Sequence, residues 1–280
     1  MEKTKKLQQI IMLAILCCLV VIFLIPIFFV VMNSFKGKLY ISDDPFSIPV
    51  GDLFVGLENY IAGISKTNFF EAFGWTTFIT VFSVGAIVLL TSMTAWYITR
   101  VKTKTSEFLY YAFVFSMVVP FQMIMFTMSK LADMLHLNNP LGMIVLYLGF
   151  GAGLSVFMFC GFVKGIPLEI EEAAMIDGCN PIVTFFQVVL PILKPTVITV
   201  AILNAMWIWN DYLLPYLVIG VSTRYKTISV AVQYLMGSYG AKDYGSLMAL
   251  LVLSIIPIIV FYLSCQKYII EGVVAGAVKG

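Results

Sequence analysis

The chain has 280 residues, of which 61% are hydrophobic and only 11% charged, with a mean hydropathy of +0.98. That composition lies outside the range of soluble domains and marks an integral membrane protein. A net charge of +2 with no basic stripe gives nucleic-acid binding no electrostatic footing.

The N-terminus places Lys3, Lys5 and Lys6 ahead of an apolar run from Leu7 to Met32. The run is too long for the hydrophobic region of a signal peptide, and no small-residue cleavage site ends it. It reads as a first transmembrane helix with its N-terminus inside. About 20 apolar residues cross a bilayer, and by that ruler the chain is all-α with six spans, at about 9–32, 73–98, 107–129, 140–162, 196–219 and 245–267. Six passes put both ends on one side. Of the 17 Lys and Arg, ten fall on the side of the termini, including the Arg100–Lys104 cluster that abuts a span. Positive residues mark the cytoplasmic side, so both termini are expected in the cytoplasm.

The longest external stretch is 33–72, where Asp43, Asp44, Pro45, Pro49, Gly51 and Asp52 predict a turn-rich polar excursion. It serves either as a solvated connector or as a surface for a protein that delivers solute. Span two ends in Ala95-Trp96-Tyr97-Ile98-Thr99-Arg100, an aromatic belt and a positive anchor at the inner interface. Span three carries Pro120 and Gln122, a kink that either lines a translocation path or serves packing. His136, the single histidine, falls in the short turn after it and reads as a loop residue. Span four holds Gly142, Gly149, Gly151, Gly153 and Gly161, small residues that let helices approach closely.

Residues 166–191 then break the pattern with Ile166-Pro167-Leu168-Glu169-Ile170-Glu171-Glu172-Ala173-Ala174-Met175-Ile176-Asp177-Gly178, running on to Leu190-Pro191. The signals spell two short helices joined by a sharp elbow. Pro167 suits a first helical turn, and three glutamates suit the exposed N–H groups there. Gly178 is a natural left-handed stop, and Asn180-Pro181 reads as cap and first residue of the second helix. Ile182, Phe185, Phe186 and Val189 then make one apolar face at helical spacing. A helix lying on an anionic leaflet would carry Lys and Arg, so the acidic Glu169, Glu171, Glu172 and Asp177 favour a protein partner instead.

Within span five, Asn204, Trp207, Asp211 and Pro215 recur at one helix face, with Asn210 and Tyr212 beside it. Asp211 would lie about 22 Å along that helix, a depth at which an ionisable group faces a wet cavity or a partner. Carboxylate, amide and indole together suit a sugar; the same groups also suit an interhelical hydrogen bond that holds a gate. The last stretch, 268–280, is a glycine-spaced tail that includes Gly276, Ala277, Lys279 and Gly280.

Glu172-Ala173-Ala174, Asp177-Gly178 and Leu190-Pro191 resemble the EAA loop of ABC importer permeases. The wider wording resembles their carbohydrate-uptake branch and, within it, the maltose-type second permease. Similar wording recurs at Leu57-Glu58-Asn59-Tyr60, Pro120-Phe121-Gln122, Trp209-Asn210-Asp211-Tyr212 with Pro215, and the C-terminal tail. Cys179 departs from the alanine common there, with little change in volume. The resemblance implies a helix-turn-helix coupling loop at 166–191, between spans four and five, that docks on a cytoplasmic ATPase. It further implies a tail reaching between two ATPase subunits, a second and related permease, and an extracytoplasmic sugar-binding protein. ATP and Mg would sit on the ATPase.

The chain has no G-x-x-x-x-G-K-[ST] loop, paired carboxylates, nucleophile elbow or Cys/His metal spacing. Its five cysteines fall in spans or on the cytoplasmic side. We therefore expect no catalytic residue and no metal in this chain. The expected function is a transmembrane subunit of an ATP-driven sugar or oligosaccharide importer. The alternatives are a non-sugar solute or an ion-coupled carrier, which would want several mid-membrane ionisable groups where only Asp211 qualifies.

Overall fold

The structure is a computed structural model that describes residues 2–220, 225–236 and 243–277, with side chains for 6–220, 225–236 and 243–268. These residues are helical apart from loops and one isolated antiparallel bridge between Lys36 and Phe54. In chain order the helices are α1 (Glu2–Ser34), α2 (Lys38–Asp43), α3 (Glu58–Thr67), α4 (Phe69–Arg100), α5 (Lys104–Val118), α6 (Phe121–Met134), α7 (Pro140–Val163), α8 (Leu168–Ile176), α9 (Pro181–Thr184), α10 (Leu190–Ile192), α11 (Lys194–Asn210), α12 (Leu213–Pro215), α13 (Ile228–Tyr234) and α14 (Tyr244–Ala277).

Among the described residues, four helical stretches are long and apolar enough to cross a membrane: Lys6–Ser34, Phe69–Arg100, Pro140–Val163 and Tyr244–Tyr268. They contain the expected spans at 9–32, 73–98, 140–162 and 245–267. The other two expected spans are interrupted. Within 107–129, α5 and α6 meet at 105°. The reason is local: Pro120 offers no N–H, and the residue before a proline is pushed out of helical geometry. Val119 accordingly takes φ −72° and ψ 113°, so the expected kink is a break. Within 196–219, α11 ends at Asn210 and Asp211 turns extended, at φ −69° and ψ 130°. The Leu213 N–H then bonds the Asp211 carboxylate at 3.1 Å, a local turn that competes with the helix. Asp211 and Pro215 thus do not share a helix face with Asn204, contrary to the spacing argument.

The chain forms two compact units. The first comprises Met1–Phe70 and Ala231–Pro257. In it, the stretch expected as a polar excursion is a folded knot rather than a loose connector. Asn59 donates through Nδ2 to the carbonyls of Ser34 and Lys36, each at 2.9 Å, and the Ser34 and Tyr60 hydroxyls bond at 2.7 Å. Lys36 has no exposed surface; its ammonium donates to the Asp44 carbonyl at 2.8 Å and the Ser47 hydroxyl at 3.1 Å. These bonds satisfy a buried charge that would otherwise be costly. Asp243 caps the start of α14 by accepting from the Ser246 N–H and hydroxyl, and pairs with Lys66. Burial penalises its charged form, but the hydrogen bonds from Lys66 and Ser246 outweigh that and hold Asp243 below the usual carboxylate range.

The second unit comprises Glu71–Val230 and Ile258–Gly280. Its core is built around Tyr147, Val156, Phe159 and Val163 of α7, joined by Ile87, Phe185, Val189 and Val200. Two of the five span-four glycines make close packing possible there. A Cβ on Gly151 would stand 2.6 Å from Ile87, and one on Gly153 would stand 2.6 Å from the Ser116 hydroxyl. Gly149 and Gly161 have open space instead.

Candidate functional site

The elbow takes the shape its local signals require. α8 ends at Ile176, and Gly178 adopts φ +88°, a conformation that only glycine enters without strain. The Gly178 N–H returns to the Met175 carbonyl and the Cys179 N–H to the Ala174 carbonyl, both at 3.0 Å, which satisfies the helix end. Asn180 caps the second arm by accepting from the Val183 N–H at 2.9 Å. Pro167 sits at the cap of α8 rather than inside its first turn.

The two faces of the elbow differ sharply. On α8, Glu171 and Ala174 stand three residues apart and point inward, at 1% and 9% exposure. Glu172, Ala173 and Asp177 are exposed, as are Met175 and Ile176, the latter at 86%. Ala174 is therefore spent on packing within this chain, not on approach to a partner. In the second arm, residues 185–189 form a π-helical stretch. The single apolar face expected from spacing is split. Phe185 and Val189 are buried, whereas Ile182 and Phe186 remain exposed. Pro191 is exposed and Leu190 half-buried. Full burial of a phenylalanine such as Phe185 is worth about 1.5–3 kcal/mol, which holds the arm to the core.

The sequence reading grouped Glu171 with the acidic residues that favour a protein partner, but the structure turns it inward onto this chain. Its carboxylate accepts from Arg100 Nε at 2.9 Å, Arg100 Nη2 at 2.7 Å and Trp96 Nε1 at 2.9 Å. The aromatic belt and positive anchor read into Trp96 and Arg100 are thus, in addition, partners of the elbow. The choice between Glu171 and Glu172 depends on which face of α8 meets α4, and no local pattern sets that. Removing one partner from a buried ion pair of this kind costs about 3–5 kcal/mol.

The second cluster lies between α7 and α11. Asn204 is buried and donates to the Ser155 hydroxyl at 3.1 Å and the Val200 carbonyl at 2.9 Å. Two turns away, the Tyr147 hydroxyl donates to Asp211 Oδ2 at 3.0 Å. Tyr147 has no exposed surface, and its ring meets Trp207 edge-on at 5.5 Å. Trp207 is 41% exposed and Asn210 is exposed, donating to the Met206 carbonyl. Tyr147 and Ser155 were missed because a tyrosine and a serine in a glycine-rich span carry no signal of their own. Pro120 marks the α5–α6 break and Gln122 lies exposed on α6; among the described residues neither is hydrogen-bonded to Tyr147 or Asp211. Gly276 and Ala277 end α14, while Lys279 and Gly280 lie outside the described residues. Among the described residues, no cluster of His, Cys, Asp and Glu could hold a metal ion.

A family model described as binding-protein-dependent transport system inner membrane component matches residues 87–274. The chain is 40% identical to a probable starch degradation products transport system permease protein, AmyC, of Thermoanaerobacterium thermosulfurigenes, over 91% of each chain. It is 34% identical to the multiple sugar-binding transport system permease protein MsmG of Streptococcus mutans, over 92% of this chain and 93% of that one. A chain in the crystal structure of a bacterial ABC transporter involved in the import of the acidic polysaccharide alginate shares the fold. Its TM-score is 0.74 at 21% identity, covering 95% of this chain and 97% of that chain.

Proposed function

Because the chain belongs to the family of binding-protein-dependent transport system inner membrane components, an ABC importer permease and multi-pass membrane protein, we propose that it carries a sugar or oligosaccharide. In this reading it forms half of the translocation pathway in a prokaryotic cytoplasmic membrane, with both termini in the cytoplasm. A second, related permease forms the other half. Two ATPase subunits bind ATP and Mg, and an extracytoplasmic binding protein delivers the solute. This chain hydrolyses nothing itself; that work belongs to a separate ATPase subunit. Relatives named for starch products and for multiple sugars support the solute class. So does the half-exposed Trp207 ring beside Asn210 and Asp211, an apolar surface with polar groups at its rim.

The observation that carries the coupling assignment is the two-faced elbow. One side is fixed to the chain's own core, while Met175, Ile176 and Ile182 are exposed, as are the acidic Glu172 and Asp177. Exposed apolar and charged side chains together suit a groove on a protein partner. The ATPases close on binding ATP and swing the docked elbow, together with Leu190 and Pro191, as a rigid body. The bundle then alternates between two states. In the same reading the 268–280 tail, with Gly276, Ala277, Lys279 and Gly280, reaches between the ATPases.

The test is the complete complex in liposomes. Gly178→Pro forces a φ near −65° where the chain needs +88°, and Glu172→Lys reverses the charge on the docking face. Each variant is expected to reach the membrane at normal abundance while uptake per ATP hydrolysed falls at least about tenfold, or about 1.4 kcal/mol of lost coupling. Normal transport by either variant refutes the assignment.

A further inference from the structure

We infer that the inner end of α4 and the elbow form one rigid joint, so that ATP-driven motion enters the bundle through α4. This rests on the coupling reading above and adds the element that receives the force. The helices joined to the elbow by chain connectivity are α7 and α11, and connectivity alone would send the motion there. The contacts add a third route. Arg100, the last residue of α4, donates through Nη2 to the Ile166 carbonyl at 2.9 Å, where the elbow begins. The same guanidinium forks onto the Glu171 carboxylate in the first arm. Trp96, one turn back, donates to the other carboxylate oxygen, and its ring packs against Phe185 of the second arm at 5.5 Å. Two side chains of α4 therefore grip the start, the first arm and the second arm of the elbow together.

The chemistry of the grip argues for geometry rather than stability. A buried ion pair gains little over well-packed apolar side chains, because desolvation offsets its attraction. What it supplies is direction: two guanidinium N–H groups converge on one Glu171 oxygen, Trp96 holds the other, and Arg100 also reaches the Ile166 carbonyl, so the elbow is held at several points at once. Arg100, Glu171 and Trp96 are positioning residues, since they fix the elbow without facing its exposed docking side.

The test uses the complete complex, with native cysteines replaced and spin labels placed on Tyr97 of α4 and Glu169 of α8, both exposed. In the otherwise wild-type complex the label separation is expected to change by less than about 2 Å between the nucleotide-free and ATP-trapped states, well short of a one-turn displacement. Glu171→Gln keeps the shape and an acceptor but removes the charge. It is expected to co-purify with the ATPases at normal yield and to broaden or shift the same distance distribution on ATP trapping. A wild-type separation that changes by about one helical turn, near 5 Å, overturns the joint even if no variant folds. A Glu171→Gln distribution identical to wild type in both states also overturns it. If Glu172→Lys leaves uptake per ATP normal while the Tyr97–Glu169 separation stays fixed, the coupling reading fails and the joint stands.

Discussion

At Gly245 there is no room for a side chain. A Cβ there would lie 2.3 Å from Asn59 Oδ1, and Asn59 is itself held by its bonds to Ser34 and Lys36. Gly245→Ala must therefore displace Asn59, an overpacking that costs about 1–3 kcal/mol. Asn59→Ala gives up two hydrogen bonds of about 0.5–1.5 kcal/mol each but also empties the space the new methyl needs. The double variant should accordingly lose less than the sum of the singles, by at least about 0.5 kcal/mol. Thermal unfolding of the purified variants, followed by intrinsic fluorescence, checks this; strictly additive shifts would mean the two residues do not touch. The pair also marks how far single residues were readable. Gly178 and Asn180 were legible because a left-handed stop and a side-chain cap obey rules that involve only their neighbours. Asn59 was legible only as a familiar wording, since its role lies in carbonyls 23 and 25 residues away. Glu171 was hidden among three acidic neighbours that differ only in which way they face.

At the scale of helices, two polar rungs tie α7 to α11, Ser155 with Asn204 and Tyr147 with Asp211. They differ in exposure. Asn204 is 5% exposed and its amide nitrogen makes two bonds, so it acts as a brace; Trp207, next to the Tyr147–Asp211 rung, is 41% exposed. Asn204→Ala is expected to lower thermal stability by about 0.6–1.7 kcal/mol, the measured scale of interhelical hydrogen bonds in membranes. The concentration of sugar giving half-maximal uptake should not move. Trp207→Ala should do the reverse, raising that concentration about three- to tenfold, since an aromatic contact is worth about 0.5–1.5 kcal/mol. Kinetics of binding-protein-dependent uptake separate the two, and a rise in half-saturation for Asn204→Ala alone would reverse the assignment. Four long helices were legible because apolar length is a local property. The breaks at Pro120 and Asp211 were not. A proline in a span can bend a helix or end it. Helix α11 stops just before Asp211, where the Leu213 N–H takes up the Asp211 carboxylate and Pro215, four residues on, has no N–H for the Asp211 carbonyl. The π stretch at 185–189 has no sequence mark at all, and neither does the turning of Phe185 and Val189 inward while Ile182 and Phe186 face out.

For the molecule as a whole, the question is whether it moves solute alone. The most apolar window of α1 has none of its residues buried within the chain. Leu13, Val20, Phe23 and Phe28 are exposed on this helix, which is apolar all round and suits lipid or another membrane subunit. Permeases of this family are not enzymes themselves, and the ATPase is a separate subunit. An ion-coupled carrier would want several ionisable groups inside its spans to bind the driving ion, and at mid-span the sequence offers only Asp211. The purified chain in liposomes is therefore expected to give no uptake of any candidate solute, either with ATP inside or with an imposed proton or sodium gradient. Adding the second permease, the ATPases and the binding protein should produce uptake that requires ATP and collapses when the ATPases are omitted. Gradient-driven uptake by the single chain would overturn this reading, because the elbow would then have nothing to answer to.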